Sequence, residues 1–350
     1  MPTPSPTPPL VATALGTGSG VQLSLVGEDG SVAATVDDAG GVDGASYYVG
    51  SHHVYFIDGA TVEAVGRDGT VTNVGQVPQV STTVAAPDLQ KYSAFAVSPD
   101  ETTLVFGLPL AVSGENGATT DHSQLWTEPT GGTAASATMV YDDANNSDNG
   151  GEVLMPFAWS NTGISVAEMC KGLGGAGPFL EFTGCAQATF DPTTRALTPL
   201  IVNNDGEGYL CSVPTAPGSV CVTEGASTLT VARSSGTQTL TLQPANATYY
   251  GAVRVSGDGH YLAYSAYVGN FGSGYYVTTV VNLSTNATVS ALRDFAPEEW
   301  LADDRLVVSE DDYQQGGTWL LSTGFTSPRK ISPNPPVGAL GVLPQHIPLA

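Results

Sequence analysis

The chain has 350 residues, only 12% of which are charged, and its 33 acidic against 10 basic residues give a formal net charge of −23. Affinity for nucleic acid depends on Lys and Arg side chains that neutralise phosphates, so this balance argues against a nucleic acid or an anionic membrane surface as partner. No apolar run reaches the length of about 18 residues that a membrane-spanning helix needs. The sequence therefore predicts no transmembrane segment.

The first nine residues, MPTPSPTPP, form a segment rich in Pro and Thr. It has neither the basic region nor the apolar stretch of a signal peptide, and its composition favours a stiff, extended linker. Such segments are similar to the tether that follows the lipidated cysteine of bacterial surface lipoproteins. We therefore expect residues 1–9 to be a linker, with a lipid tether upstream, and residues 10–350 to form one domain.

The remainder of the chain alternates short segments rich in Val, Thr and Tyr with turns rich in Gly, Asp, Asn and Pro, as β-strands and turns do. Each repeat begins with a strand, a tight polar turn and a more apolar strand, and these turns recur 40 to 61 residues apart. Repeats of this size, built from strands alone, predict an all-β β-propeller. Six four-stranded blades are predicted, in chain order, over residues 46–77, 92–141, 153–202, 208–242, 250–292 and 297–331.

Material at both ends of the chain predicts a further blade. Residues 21–36 read as a hairpin with a Gly-Glu-Asp-Gly turn, and residues 338–343 read as one short strand. A ring left open would expose two unpaired strand edges, and joining the two termini in one blade removes them. We therefore predict seven blades with a split closing blade; six blades is the alternative.

The turn motif resembles the repeat of TolB-type propellers, in which a strand is followed by Ser-Pro-Asp-Gly and an apolar strand. The two best copies are Ser98-Pro99-Asp100 and Ser256-Gly257-Asp258-Gly259, and the first departs from the pattern because Glu101 stands where the family has Gly. The chain also lacks the α/β domain of TolB itself. The resemblance implies a bacterial, extracytoplasmic propeller and leaves the activity open.

The four cysteines contain no Cys-x-x-Cys pair, so their spacing argues against a zinc site. Three pairings into two disulfides exist, and we favour Cys170–Cys185 with Cys211–Cys221, because each pair then closes a short loop inside one repeat. A disulfide that closes a loop of about 15 residues stabilises the folded protein by up to ~3 kcal/mol. Disulfides would place the protein outside the cytosol; four buried free thiols are the alternative.

The long connections of the predicted blades share one face. With strands named a to d within a blade, a–b and c–d turns lie on one face, whereas b–c loops and d–a connections lie on the other. The long insertions are b–c loops or d–a connections, at residues 78–90, 113–122, 142–152, 171–182, 268–275 and 310–317. Loops on a rigid scaffold commonly carry binding residues, so this face is the predicted binding surface.

Within these loops, Phe271 and Tyr313 are the aromatic residues predicted to contact a partner, because Gly and polar residues flank them. Asp311 and Asp312 accompany Tyr313 and would select against anionic ligands. Three further tyrosines, Tyr267, Tyr275 and Tyr276, are expected to pack inside the blades.

No catalytic residues, metal site or cofactor are predicted. The sequence has no nucleophile elbow and no phosphate-binding Gly-rich loop with Lys. His52 and His53 are adjacent in a predicted strand and should point to opposite faces. The alternation Asp143-x-Asn145-x-Ser147 offers oxygen ligands for calcium but lacks the Gly and Glu of an EF-hand, so calcium is kept only as an alternative.

These observations favour a non-catalytic, extracytoplasmic propeller, secreted or anchored at the cell surface, that binds a protein or glycan partner through its long-loop face. The alternative is a propeller enzyme, a hydrolase or lyase, acting on a carbohydrate, lactone or peptide end at the central channel. Propeller enzymes place few residues, far apart in sequence, on their innermost strands, so the lack of a motif does not decide between the two.

Overall fold

A computed structural model gives the structure of the chain. The residues that it describes are 7–16, 20–37, 39, 47–78, 94–113, 119–142, 152–161, 163–170, 183–202, 209–211, 220–223, 228–233, 236–270, 272–301, 303–310, 316–332 and 339–343.

The described residues form 28 strands and one short 3-10 turn, Ala134–Ser136. The first eleven strands are β1 (Leu10–Gly16), β2 (Val21–Gly27), β3 (Val32–Val36), β4 (Tyr47–Val49), β5 (Val54–Asp58), β6 (Thr61–Val65), β7 (Val71–Gln76), β8 (Ala94–Val97), β9 (Thr103–Ser113), β10 (Thr119–Pro129) and β11 (Thr138–Asp142). The next eight are β12 (Glu152–Ser160), β13 (Gly163–Cys170), β14 (Thr183–Asp191), β15 (Ala196–Val202), β16 (Tyr209–Cys211), β17 (Val220–Thr223), β18 (Thr228–Arg233) and β19 (Gly236–Thr241). The last nine are β20 (Tyr249–Val255), β21 (Tyr261–Val268), β22 (Tyr275–Asn282), β23 (Ala287–Arg293), β24 (Phe295–Trp300), β25 (Leu306–Glu310), β26 (Thr318–Leu321), β27 (Pro328–Ser332) and β28 (Ala339–Leu343).

These strands form seven four-stranded antiparallel blades, which confirms the predicted β-propeller with seven blades. Blades 1 to 6 are β4–β7, β8–β11, β12–β15, β16–β19, β20–β23 and β24–β27. Blades 3 and 4 share one continuous sheet, because β14 pairs with both β15 and β16. No helix among the described residues is long and apolar enough to cross a membrane.

The closing blade has the order β28-β1-β2-β3, so the two ends of the chain meet in it as predicted. One detail differs from the sequence prediction. The C-terminal strand pairs with β1, with Leu10 opposite Leu343, and not with the hairpin of residues 21–36. Strand β1 was missed because its segment, LVATALG, follows directly on the Pro-rich stretch that was interpreted as a linker.

The first strand of each blade lies closest to the propeller axis. On one side of the ring, β28 contacts β4, β4 contacts β8 and β8 contacts β12. On the other side, β16 contacts β20, β20 contacts β24 and β24 contacts β28. The blades pack through the apolar faces of their middle strands. One such cluster joins blades 1 and 2 through Tyr55, Val62, Leu104 and Phe106, all at most 2% exposed.

A close backbone approach joins blades 2 and 3. A Cβ atom at Gly107 of β9 would lie 2.1 Å from the carbonyl oxygen of Leu154 in β12. Real Cβ atoms do not approach an oxygen so closely, so only glycine permits this contact. The packing of the two blades therefore depends on this residue.

Candidate functional site: the two faces of the propeller

The two faces of the propeller differ in the length of their connections. All six long insertions join strand b to c or strand d to a, as predicted from the sequence. The a–b turns are mostly short, such as residues 50–53 between β4 and β5. Residues 212–219 are an exception, because they connect the first two strands of blade 4. The prediction that every long loop lies on one face is therefore wrong for blade 4, whose a–b connection is also long.

The four predicted contact residues, Phe271, Asp311, Asp312 and Tyr313, lie outside the described residues, as does the calcium candidate at 143–147. The strands that border them are described. Phe271 lies in the b–c connection of blade 5, between β21 and β22, and residues 311–313 lie in the b–c connection of blade 6. The two loops thus leave adjacent blades at the same face.

The tyrosines expected to pack within the blades are mostly buried. Tyr267 and Tyr276 are each 7% exposed, and Tyr249 joins them through its ring and a hydroxyl–hydroxyl hydrogen bond of 2.8 Å to Tyr276. The Tyr267 hydroxyl donates to the carbonyl oxygen of Asn270 and accepts from the N–H of Gly274. This cluster braces the base of the loop that contains residue 271.

The cysteines of each predicted disulfide lie on neighbouring strands. Cys211 and Cys221 are directly opposite each other in the β16–β17 pair. Cys170 ends β13 and Cys185 lies in β14, near the point where the register of these two strands shifts. The register agrees with both pairings, and the disulfide bonds themselves stay a prediction.

A cavity of about 470 Å³ lies on the propeller axis, at the end where the a–b turns are. The innermost strands of five blades line it close to their last residues, among them Val49, Ala158, Val255, Trp300 and Val342. Cavities of 300–1,000 Å³ with a mainly apolar lining and a few polar groups are typical of small-molecule sites. Because its lining residues lie at the ends of the first strands and in the a–b turns, this cavity is on the face opposite the long loops.

Two carboxyl groups line this cavity: Asp303, which pairs with Arg305, and Glu299. Its Oε1 accepts a 2.9 Å hydrogen bond from the N–H of Trp300. Burial raises the pKa of Glu299, and the nearby positive charge of Arg254 opposes this only in part. The Arg254 guanidinium donates to the carbonyl oxygens of Glu298 and Val253. Its Nε and Nη1 donors are thus directed at the backbone, and the charge of an ionised Glu299 is balanced only in part.

The rim of the cavity carries a compact ion-pair network. Arg305 forms ion pairs with Glu28, from the closing blade, and with Asp303, whose Oδ2 lies 2.8 Å from Nε. These two carboxylates balance the charge of Arg305 and raise its pKa. The network links the a–b turn of blade 6 to the c–d turn of the closing blade.

A second titratable network lies on the same face between blades 1 and 2. Glu101 accepts a 2.7 Å hydrogen bond from Nδ1 of His53 and a 2.6 Å bond from the backbone N–H of His52. Burial opposes ionisation of this carboxyl, but these donors and Tyr55 outweigh it and lower the pKa of Glu101 to about 2. The same hydrogen bond raises the pKa of His53.

This network corrects the predicted orientation of the two histidines. His52 and His53 belong to the turn between β4 and β5, not to a strand, so strand alternation does not apply to them. Their Nδ1 atoms lie 3.6 Å and 2.7 Å from the same Oε2 atom of Glu101. The sequence shows no local signal for this, because the acceptor is 48 residues away from His53.

One group of described side chains has the composition of a metal site. Single ligand atoms of Asp258, His260 and Asp304 lie within 4.8 Å of one another, on the a–b turns of blades 5 and 6. Asp258 and His260 are exposed, and Asp258 already accepts hydrogen bonds from Ser256 and the N–H of His260. These hydrogen bonds hold the turn, and they account for the position of Asp258 without a bound ion.

The comparisons with known proteins identify the fold and leave the family open. No family model and no curated protein matches the chain. Among solved structures, an oligogalacturonate lyase in complex with manganese is 13% identical with a TM-score of 0.54, covering 86% of this chain and 82% of the lyase. A prolyl endopeptidase is also 13% identical, with a TM-score of 0.58, covering 89% of this chain but 46% of the endopeptidase.

TolB proteins are also among the matches, as the resemblance of the turn motif predicted. TolB from Acinetobacter baumannii is 12% identical with a TM-score of 0.43, covering 96% of this chain and 83% of TolB. Identities this low establish a shared fold and nothing about ligands, and the fold assignment relies on the two matches with higher TM-scores. The chain is a seven-bladed β-propeller that shares its fold with a lyase and an endopeptidase.

Proposed function

We propose that the protein is a non-catalytic, extracytoplasmic β-propeller that binds a protein or glycan partner through its long-loop face. The observation that carries this proposal is the placement of the long insertions. All six join strands b to c or d to a, and blade topology brings such connections to one face. The Pro-rich segment 1–9 and the register of the four cysteines support the extracytoplasmic assignment.

The contact is proposed to centre on blades 5 and 6. Their b–c loops contain Phe271 and the run Asp311, Asp312, Tyr313, and blade topology brings both loops to the same face of adjacent blades. Two aromatic side chains would supply the desolvated anchor that interfaces depend on. The two carboxylates would exclude anionic ligands.

Replacing both aromatics tests the proposal. The variant Phe271→Ala/Tyr313→Ala should lose binding to a glycan array and to biotinylated cell-surface proteins, while Tm changes by less than about 2 °C, because exposed loop side chains contribute little to stability. The matched control is Val32→Ala/Val289→Ala, which truncates residues that are 60% and 42% exposed away from these loops. It should bind as the native protein does.

A large loss of stability with binding retained per folded molecule would contradict the proposal, since Phe271 and Tyr313 would then be core residues. The alternative function, a hydrolase or lyase centred on the channel, would gain from that result. Turnover of polysaccharide, lactone or peptide substrates by the native protein, lost on filling the axial cavity, would establish the alternative.

A further inference from the structure

We propose that the axial cavity binds a small organic cation of the primary ammonium class, with the Glu299 carboxylate as its counter-ion. This site lies at the a–b turns and is separate from the long-loop face. The inference depends on the partly buried carboxyl group in the cavity, on the aromatic residues that line the cavity with it and on the charge at the rim.

The first step concerns the carboxylate itself. Only Oε1 of Glu299 has a hydrogen-bond donor, the N–H of Trp300, among the residues that the structure describes. The second oxygen, Oε2, can accept from a bound molecule. Arg254 does not line the cavity and directs its Nε and Nη1 donors to backbone carbonyls. A partly buried carboxylate without a directed cation is incompletely compensated, and an ammonium ligand would supply the missing partner.

The second step concerns the shape and lining of the cavity. A volume of about 470 Å³ suits a ligand with an apolar body as well as a charged end. Tyr47 and Tyr48 from blade 1 and Phe157 from blade 3 line it together with aliphatic residues. Aromatic rings near a carboxylate attract organic cations by cation–π contact as well as by burial of apolar surface.

The third step concerns access for a cation. Arg305 is the basic residue among the lining residues, and its charge is balanced by Asp303 and Glu28. The whole chain carries a net charge of −23, so its field favours the approach of cations over anions. Charge complementarity therefore selects the ammonium class over carboxylates or phosphates.

Calorimetric titration with benzylammonium tests the site, with benzyl alcohol as a neutral ligand of nearly the same shape. Benzylammonium should bind at least about tenfold more tightly than the alcohol, because a charge-assisted hydrogen bond is stronger than a neutral one. Equal affinities, or no binding by either compound up to its solubility limit, would overturn the proposal.

Two adjacent glutamates provide a matched pair of variants. Glu299→Gln should weaken benzylammonium binding at least about tenfold and leave benzyl alcohol unaffected. Glu298→Gln is the control, because Glu298 does not line the cavity and its Oε1 accepts a hydrogen bond from Ser309. The proposal is wrong if both variants bind the cation equally well.

Two measurements decide the question without relying on Glu299→Gln to fold. Ala158→Trp fills the cavity from blade 3 and should abolish binding of both compounds. In the native protein, the affinity for benzylammonium should fall as the pH is lowered through the raised pKa of Glu299, since protonation removes the counter-ion. An affinity independent of pH, with full binding by the Ala158→Trp variant, would place any bound cation elsewhere.

Discussion

Glu101 adopts a left-handed backbone conformation with φ of 57°, at a turn position that the second copy of the motif fills with Gly259 at φ 73°. A side chain in this conformation costs about 1 kcal/mol relative to glycine. The carboxylate of Glu101 offsets this cost through its hydrogen bonds to the turn of residues 52 and 53. The departure from the Ser-Pro-Asp-Gly pattern therefore connects blades 1 and 2 through a charged side chain.

The pair formed by His53 and Glu101 should make stability depend on pH. The pKa of His53 is raised above 6.5, so the ion pair contributes fully below that pH and its contribution is lost as pH rises through the folded pKa. The pKa of Glu101 is about 2, so acid weakens the pair only as the pH falls from about 4.5 towards 2.

We expect His53→Gln to lower the free energy of unfolding most near pH 5.5, by no more than about 1 kcal/mol because solvent screens a half-exposed pair. The loss should shrink as the pH rises through the raised pKa of His53. Thermal unfolding of the variant and the native protein across this range measures it. His52→Gln is the control, since its ring lies 3.6 Å from the same oxygen and is 58% exposed. A loss that is constant with pH would contradict the assignment.

At the scale of elements, two a–b turns are each held by the same pattern of hydrogen bonds. Ser98 Oγ donates to Asp100 and accepts from the N–H of Thr103, at 2.7 Å and 3.0 Å. Ser256 Oγ makes the same pair of bonds, at 2.7 Å and 2.9 Å, to Asp258 and Tyr261. The motif is thus a structural device that holds the first two strands of a blade together.

Removing either hydroxyl should destabilise the protein by a similar amount. Ser98 and Ser256 are 7% and 0% exposed, so Ser98→Ala and Ser256→Ala should each cost about 1–2 kcal/mol, because an N–H and a carboxylate lose their partner. Denaturant titration measures both values. Ser284→Ala is the control, as Ser284 is exposed and its turn is held by its backbone N–H. If Ser256→Ala matches this control, the network is not stabilising.

At the scale of the whole molecule, the ring is closed by pairing between the ends of the chain. Strand β28 pairs with β1 and contacts β4 and β24, so it occupies the innermost position of the closing blade. It also contributes Leu340, Gly341 and Val342 to the wall of the axial cavity. Closure of the ring and formation of the cavity therefore depend on the same strand.

A chain that ends at residue 336 should unfold at a temperature at least about 5 °C lower than the full chain. The truncation exposes the edge of β1 and removes Leu343, which is fully buried. Differential scanning calorimetry measures the shift. The full chain with Leu343→Ala is a useful comparison, because it creates a cavity but keeps the strand pairing. Unfolding of the truncated chain at the native temperature would show that closure does not contribute to stability.

Local sequence patterns determined most of the fold. The strands of blades 1 to 6 are marked by β-branched and aromatic residues between turn residues, and those features act over a few residues. The boundaries predicted for blade 1, 46–77, agree with strands at Tyr47–Val49 through Val71–Gln76. Strand β1 was missed because it directly follows the Pro-rich segment interpreted as a linker, and its partner β28 is more than 300 residues away.

The sequence by itself determined the repeat, the number of blades and the distribution of long loops over the blades. Only the tertiary structure revealed the sites on the a–b face. Glu299 lines the same cavity as Tyr47 and Phe157 only because the ring brings the innermost strands of different blades to one axis. Glu101 likewise meets His53 across a blade boundary. Contacts of this kind join residues that no short-range pattern connects, so closure of the whole ring decides them.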